Sequence, residues 1–125
     1  MPIDATRPYD ESNIFARILR GELPCRKVHE DEYSLAFHDI NPSAPVHILV
    51  IPKGAYVSWD DFSERGSAEE IAGFVRAVGE VARARNLVEP GYRVLANVGR
   101  DSGQEVPHLH VHIFGGKGLG PMLSR

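Results

Sequence analysis

Pro107-His108-Leu109-His110-Val111-His112-Ile113-Phe114 alternates imidazoles with branched hydrocarbon side chains at a period of two. That is the period of a β-strand, so the spacing predicts a strand over 108–114. Its three histidines would share one face, and Leu109, Val111 and Ile113 would pack from the other. Such a row is a demanding structural element. Each imidazole has two nitrogens that need partners, and three cations side by side would repel one another. Three readings fit the row. Neutral rings can ligate a metal such as zinc, for which His-x-His on a strand supplies two ligands. One neutral ring can be a nucleophile whose neighbours donate to a phosphate. The third is a polar strand face of ordinary, satisfied histidines.

Outward from this stretch the chain reads as alternating order and punctuation. A second strand is expected over 92–97, joined to the first by a glycine-containing loop over 98–107. Before it lies the clearest helix, 67–86, opened by the capping box Ser67-Ala68-Glu69-Glu70. Ile71, Phe74, Val75, Val78, Val81 and Ala82 form its apolar stripe. Further upstream, strands are expected over 26–29, 34–37 and 46–51, the last ended by Pro52. A short helix begins at Ser12 as cap, carries Ile14, Phe15, Ile18 and Leu19, and stops at Gly21. The order of helix, three strands, long helix and two strands implies an α+β meander with mostly antiparallel pairing. Residues 1–10 read as a flexible leader and 11–125 as one domain.

Composition narrows the function classes. The 125 residues are 42% hydrophobic and 25% charged with a net charge of −3. That describes a globular chain without the basic field that draws nucleic acid. The lone Cys25 excludes an internal disulfide and a cysteine-rich zinc site, and makes a cytoplasmic home the natural expectation. The polar, acidic N-terminus lacks the pattern of a secretory signal. No run approaches the ~18 apolar residues of a membrane span.

The segment His108-Leu109-His110-Val111-His112-Ile113-Phe114 resembles the motif of the histidine triad (HIT) family. Asn97-Val98-Gly99-Arg100-Asp101-Ser102-Gly103-Gln104 is similar to the loop that family places over the α-phosphate. Phe37-His38-Asp39-Ile40-Asn41-Pro42 and His47-Ile48-Leu49-Val50-Ile51-Pro52-Lys53 resemble its nucleoside pocket, and Ile14-Phe15-Ala16-Arg17-Ile18 fits as well. The closing Gly115-Gly116-Lys117-Gly118-Leu119-Gly120-Pro121-Met122 resembles the bacterial Hint ending. The matched blocks run in order from about Asn13 to Met122.

The resemblance implies a five-stranded sheet and a hydrolase of nucleoside 5′-phosphoramidates, acting without cofactor or metal through a nucleotidyl-histidine. Carried over by position, His110 is the nucleophile, His108 and His112 flank the phosphate or order the nucleophile, and His47 supports them. Gly103, Gln104 and Glu105 offer backbone N–H groups, and Asn97 an amide. Asp39 accepts from the ribose hydroxyls, and Ile14, Phe15, Ile18, Phe37, His38 and Ile40 sandwich a purine. One position departs from the pattern: Glu105 stands where the family commonly has a small hydroxyl residue. Its carboxylate must then turn away or serve the leaving amine as acid or base.

The resemblance also implies a homodimer in which two sheets join, with the long helix at the interface. Rival readings are a dinucleoside polyphosphate hydrolase of the Fhit type, a nucleotide-binding adaptor with incidental hydrolysis, and a metalloprotein using the triad. No nucleic acid, membrane or protein partner other than a second copy is implied.

Overall fold

Alternation and capping account for most of what folds. The computed structural model describes residues 2–123. Its elements are α1 (Ile14–Leu19), β1 (Lys27–Glu30), β2 (Ser34–His38), β3 (Val46–Pro52), α2 (Trp59–Arg65), α3 (Ala68–Ala84), β4 (Arg93–Leu95), α4 (Gly99–Ser102) and β5 (Val111–Gly115). The strands form one sheet in the order β1-β2-β3-β5-β4, every neighbouring pair antiparallel. This is the expected α+β meander of five strands, with one short N-terminal helix and one long helix. The helices α2 and α4 are additions that the sequence reading did not include.

Local chemistry sets the joints. The β1–β2 turn is held by Asp31, whose Oδ1 accepts from the backbone N–H of Tyr33 and of Ser34 at 2.9 Å each. The capping box of α3 is present in full, and Asn86, at φ 59°, takes the left-handed conformation that ends this helix where expected. The cap of α1 is Asn13 rather than Ser12, its Oδ1 accepting from the Ala16 N–H at 2.8 Å. Ser58 caps α2, with Asp60 and Asp61 favourably placed in the first turn. Strand β5 starts at Val111, so His108, in a bend, and His110 lie just before it rather than in the strand expected over 108–114. Only His112 is a member of the ladder.

The pleat gives the sheet two unlike faces. Ala36, Ile48, Val50, Val111 and Ile113 pack with Phe74, Ala77 and Val81 of α3 into the larger core. Leu35, Phe37, Leu49 and Ile51 point the other way, where Phe15 of α1 joins them in a smaller cluster. The register pairs Leu49 with His112 and His47 with Phe114, so both histidines lie on this second face. Residues 2–10 run along the body. The Ile3 N–H donates to the Gln104 carbonyl at 2.7 Å, and Tyr9 reaches His108. Among the described residues, no helix is long and apolar enough to cross a membrane.

Candidate active site

The second face and α1 enclose a cavity of about 340 Å³ beside the loop that follows β4. His110 and His112 form one side of it. Phe37 and Leu49 form its apolar floor, and Ile14, Phe15 and Ile40 its rim. Asp39, Asn41 and Asn97 supply polar groups, and Gly103, Gln104, Glu105 and Val106 close it from the loop. Ile40 is 89% exposed and Ile14 49%, so two aliphatic side chains stand open to solvent at the mouth. Such a pairing suits a flat apolar ring.

Hydrogen-bond partners settle which ring nitrogens carry protons. His110 places Nδ1 2.8 Å from the carbonyl oxygen of His108. A carbonyl only accepts, so Nδ1 is the protonated nitrogen. Nε2 is left as a bare lone pair, with no protein partner among the described residues. At His47, Nδ1 accepts from the Ser43 N–H at 3.0 Å, which puts the proton on Nε2. That proton goes to His112 Nδ1 at 2.9 Å, so His112 carries its own on Nε2. Two adjacent rings, 5.1 Å apart between centroids, therefore offer the cavity opposite polarity: a lone pair from His110 and an N–H from His112.

Burial keeps the rings neutral. It lowers the pKa of His110 below the ordinary imidazole value, against the His108 carbonyl, which pulls it up. It takes His112 down to about 4, helped by His110 and His47. His47 is also lowered by burial, although the Asp39 carboxylate, 3.4 Å from its Nε2, pulls the other way. Phe15 meets the His110 ring edge-on at 5.0 Å and restricts its tilt.

His108 differs from the other two. It is fully buried, with Nε2 donating to the Pro52 carbonyl at 2.9 Å and Nδ1 taken by the Tyr9 hydroxyl at 2.6 Å. Neither nitrogen is free to donate to a phosphate, so of its two expected roles only the ordering of His110 fits. Burial lowers its pKa to about 4.

The loop narrows the expectations further. The N–H of Gly103 donates to the Arg100 carbonyl and that of Gln104 to Gly99, both at 3.0 Å, so neither is available to a ligand. The buried Gln104 side chain is a staple. Its amide donates to the Val57 carbonyl at 2.8 Å and to Val106 at 3.1 Å, while its oxygen accepts from Gly99 at 2.9 Å. Gly103, at φ 83°, makes the turn that this staple closes. The N–H groups of Glu105 and Val106 have no acceptor among the described residues and are the loop's open donors.

Two expected contacts fall elsewhere. His38 follows Phe37 on β2, so the pleat turns it to the opposite face, outside the cavity. Ile18 packs against the small cluster one helical turn beyond Ile14 and does not line the cavity. Asn41, Leu49 and Val106 line it without having been singled out. For Leu49 the signal was its place two residues along from His47 on the same strand face. The remaining expected residues either line the cavity or, like His47, sit directly behind it.

Asp39, His47 and His112 bring their ligand-type atoms within 4.8 Å of one another, as a metal site would. The proton that Ser43 assigns to His47 Nε2 occupies the lone pair such a site would need. A second group, His29, Asp31 and Glu80, lies at β1 and α3, away from the cavity.

Known proteins share both sequence and architecture with this chain. It is 66% identical over 119 residues to an uncharacterized HIT-like protein of Azospirillum brasilense, covering 95% of this chain and 98% of that one. It is 39% identical over 114 residues to the purine nucleoside phosphoramidase of Escherichia coli K12, covering 91% and 95%. A HIT family hydrolase from Clostridium thermocellum superposes with a TM-score of 0.83 at 38% identity, over 92% of this chain and 99% of that one. With the HIT domain matched over residues 20–119, the chain belongs to the HIT domain family and is one of its hydrolases.

Proposed function

We propose that the protein cleaves the P–N bond of purine nucleoside 5′-phosphoramidates through a covalent nucleotidyl-His110 intermediate. The observation that carries this is the tautomer of His110, whose Nδ1–H is fixed on the His108 carbonyl and whose Nε2 lone pair faces the cavity. A phosphoramidase relative at 39% identity supports the substrate class.

The base would lie between Ile14, Phe15, Phe37 and Ile40, with the ribose hydroxyls donating to the Asp39 carboxylate. The phosphate then faces His110, with its nonbridging oxygens accepting from His112 Nε2–H and from the open N–H groups of Glu105 and Val106. His110 Nε2 attacks phosphorus, the N–P bond to the histidine forms, and the bond to the amine breaks. The departing amine takes a proton from the solvent-open mouth, where Glu105 stands exposed. The phosphorylated ring is a cation whose Nδ1–H points at a carbonyl dipole, which stabilises it. In the second step water attacks phosphorus and loses a proton, the Nε2–P bond breaks, and nucleoside monophosphate leaves.

An exposed apolar patch supports assembly as a homodimer. Trp59, Val94 and Val98 are partly open to solvent beside the unpaired edge of β4, the kind of surface a second copy covers. We place the protein in the cytoplasm on its cysteine usage.

The test uses an AMP–amine phosphoramidate with a fluorescent leaving group, assayed with wild type and His110→Ala, each with and without EDTA. Release by wild type that ignores EDTA and falls at least about a thousandfold in His110→Ala is expected. Release abolished by EDTA would overturn the metal-free mechanism. Nucleotide binding without release would make the protein an adaptor.

A further inference from the structure

The hydrogen bond between Tyr9 and His108 joins the leader to the residue whose carbonyl orients His110, and its donor follows from the partners of the ring. His108 Nε2 faces the Pro52 carbonyl, which cannot donate, so Nε2 carries the single proton of a neutral ring. Nδ1 is then an acceptor, and the Tyr9 phenol 2.6 Å away is its donor. Burial raises the Tyr9 pKa above that of an ordinary phenol, so the hydroxyl keeps its proton.

We propose that Tyr9 is a positioning residue for the reaction, holding the His108 backbone carbonyl that orients the His110 ring. This rests on the proposed role of His110 as nucleophile. The peptide plane after His108 is held on one side by the Leu109 N–H, which donates to the Tyr56 carbonyl at 2.8 Å. On the other side the His108 N–H donates to the Val106 carbonyl at 2.9 Å, which leaves a tilt about the His108 Cα, and the His108 ring, anchored at Pro52 and at Tyr9, limits that tilt. Without the phenol, a fully buried nitrogen is left with no partner. The ring then shifts or changes tautomer, its carbonyl moves with it, and His110 Nδ1–H loses a fixed acceptor. A second leader contact makes the arrangement specific to the site. Ile3 N–H holds the carbonyl of Gln104, in the loop that closes the cavity. Residues 3 and 9 thus tie one segment to both His108, behind the nucleophile, and the loop.

The experiment is Tyr9→Phe in the full chain, read by steady-state hydrolysis of the phosphoramidate and by two-bond 15N–1H correlations of the histidine rings. A kcat lower by about tenfold with KM within about twofold is expected, because misplacing an attacking atom lowers the chemical step. His108 Nδ1 should lose its hydrogen-bonded shift, and His110 should become a mixture of tautomers. An unchanged kcat overturns the proposal. So does a kcat loss with the His108 and His110 ring signals unmoved, since that marks general destabilisation. If the variant does not fold, the wild-type spectrum decides, and a His108 proton on Nδ1 overturns the assignment. If wild type releases no amine, the proposed reaction fails, while the ring spectra still judge Tyr9.

Discussion

The two faces of the sheet are built from adjacent residues of the same strands, yet they do opposite things. Toward α3 the central strands present Ala36, Ile48, Val50, Val111 and Ile113, all sealed in the larger core. Away from α3 the same strands present Phe37, Leu49 and His112 to a cavity that is open at its mouth, with His47 directly behind them. A close-packed face tolerates no vacancy, whereas a face that binds must keep one. The difference assigns stability to one side and chemistry to the other, and substitutions on each side should separate cleanly.

The largest expected effect is on the sealed side. Phe74 is 1% exposed and meets Phe62 edge-on at 5.4 Å. Phe74→Ala should lower the unfolding free energy by about 3–5 kcal/mol through lost burial and a residual void. Measured by urea unfolding and by kcat/KM per folded molecule, stability should fall while activity stays within about twofold. Activity falling further than the folded fraction would show that the faces are coupled.

Acid should strike the other side. His108 is buried with a pKa of about 4, while in the unfolded chain an imidazole sits near ~6.5. The unfolded state therefore binds the proton first, so stability is complete above ~6.5 and falls as pH drops toward 4. His108 alone accounts for about 2 kcal/mol between about pH 7 and about pH 5, and His112 adds to it in the same direction. Unfolding free energies that are equal at these two pH values would show that the imidazoles are not sealed as the geometry has them.

Legibility in the sequence follows the same division. The sealed face was readable because alternation and the helix stripe are local patterns, and the capping box fixed where α3 begins. The α2 helix carried a readable signal too, Ser58 followed by Asp60 and Asp61, but its short apolar face gave no periodicity to notice. On the cavity side the residue types were legible and several of their roles were not. The three histidines look equivalent in a row. They differ because Tyr9 and Pro52 occupy both nitrogens of His108 and His47 takes Nδ1 of His112, all distant in sequence, whereas the neighbouring His108 carbonyl takes Nδ1 of His110. Gln104 similarly looks like a ligand contact until its amide is found stapling Val57. His38 alternates with Phe37 along β2, so its side chain points away from the cavity, a placement the pleat alone makes legible.

The smallest expected effect tests how far the cavity side divides within itself. Asp39 Oδ1 accepts from the Asn41 N–H at 2.8 Å, and its Oδ2 lies 3.4 Å from His47 Nε2. Asp39→Asn keeps one oxygen for Asn41 but turns an NH2 toward a ring nitrogen that is already a donor, and it removes an acceptor from the ribose. If the carboxylate serves only the ribose, KM should rise about tenfold, the size of one hydrogen bond to a charged group, with kcat nearly unchanged. If it also steadies His47, the loss travels through His47 to His112 and appears in kcat. Steady-state kinetics on the phosphoramidate separates the two. A KM effect alone keeps binding and chemistry on different side chains of this face, and a kcat effect joins them through the imidazole pair.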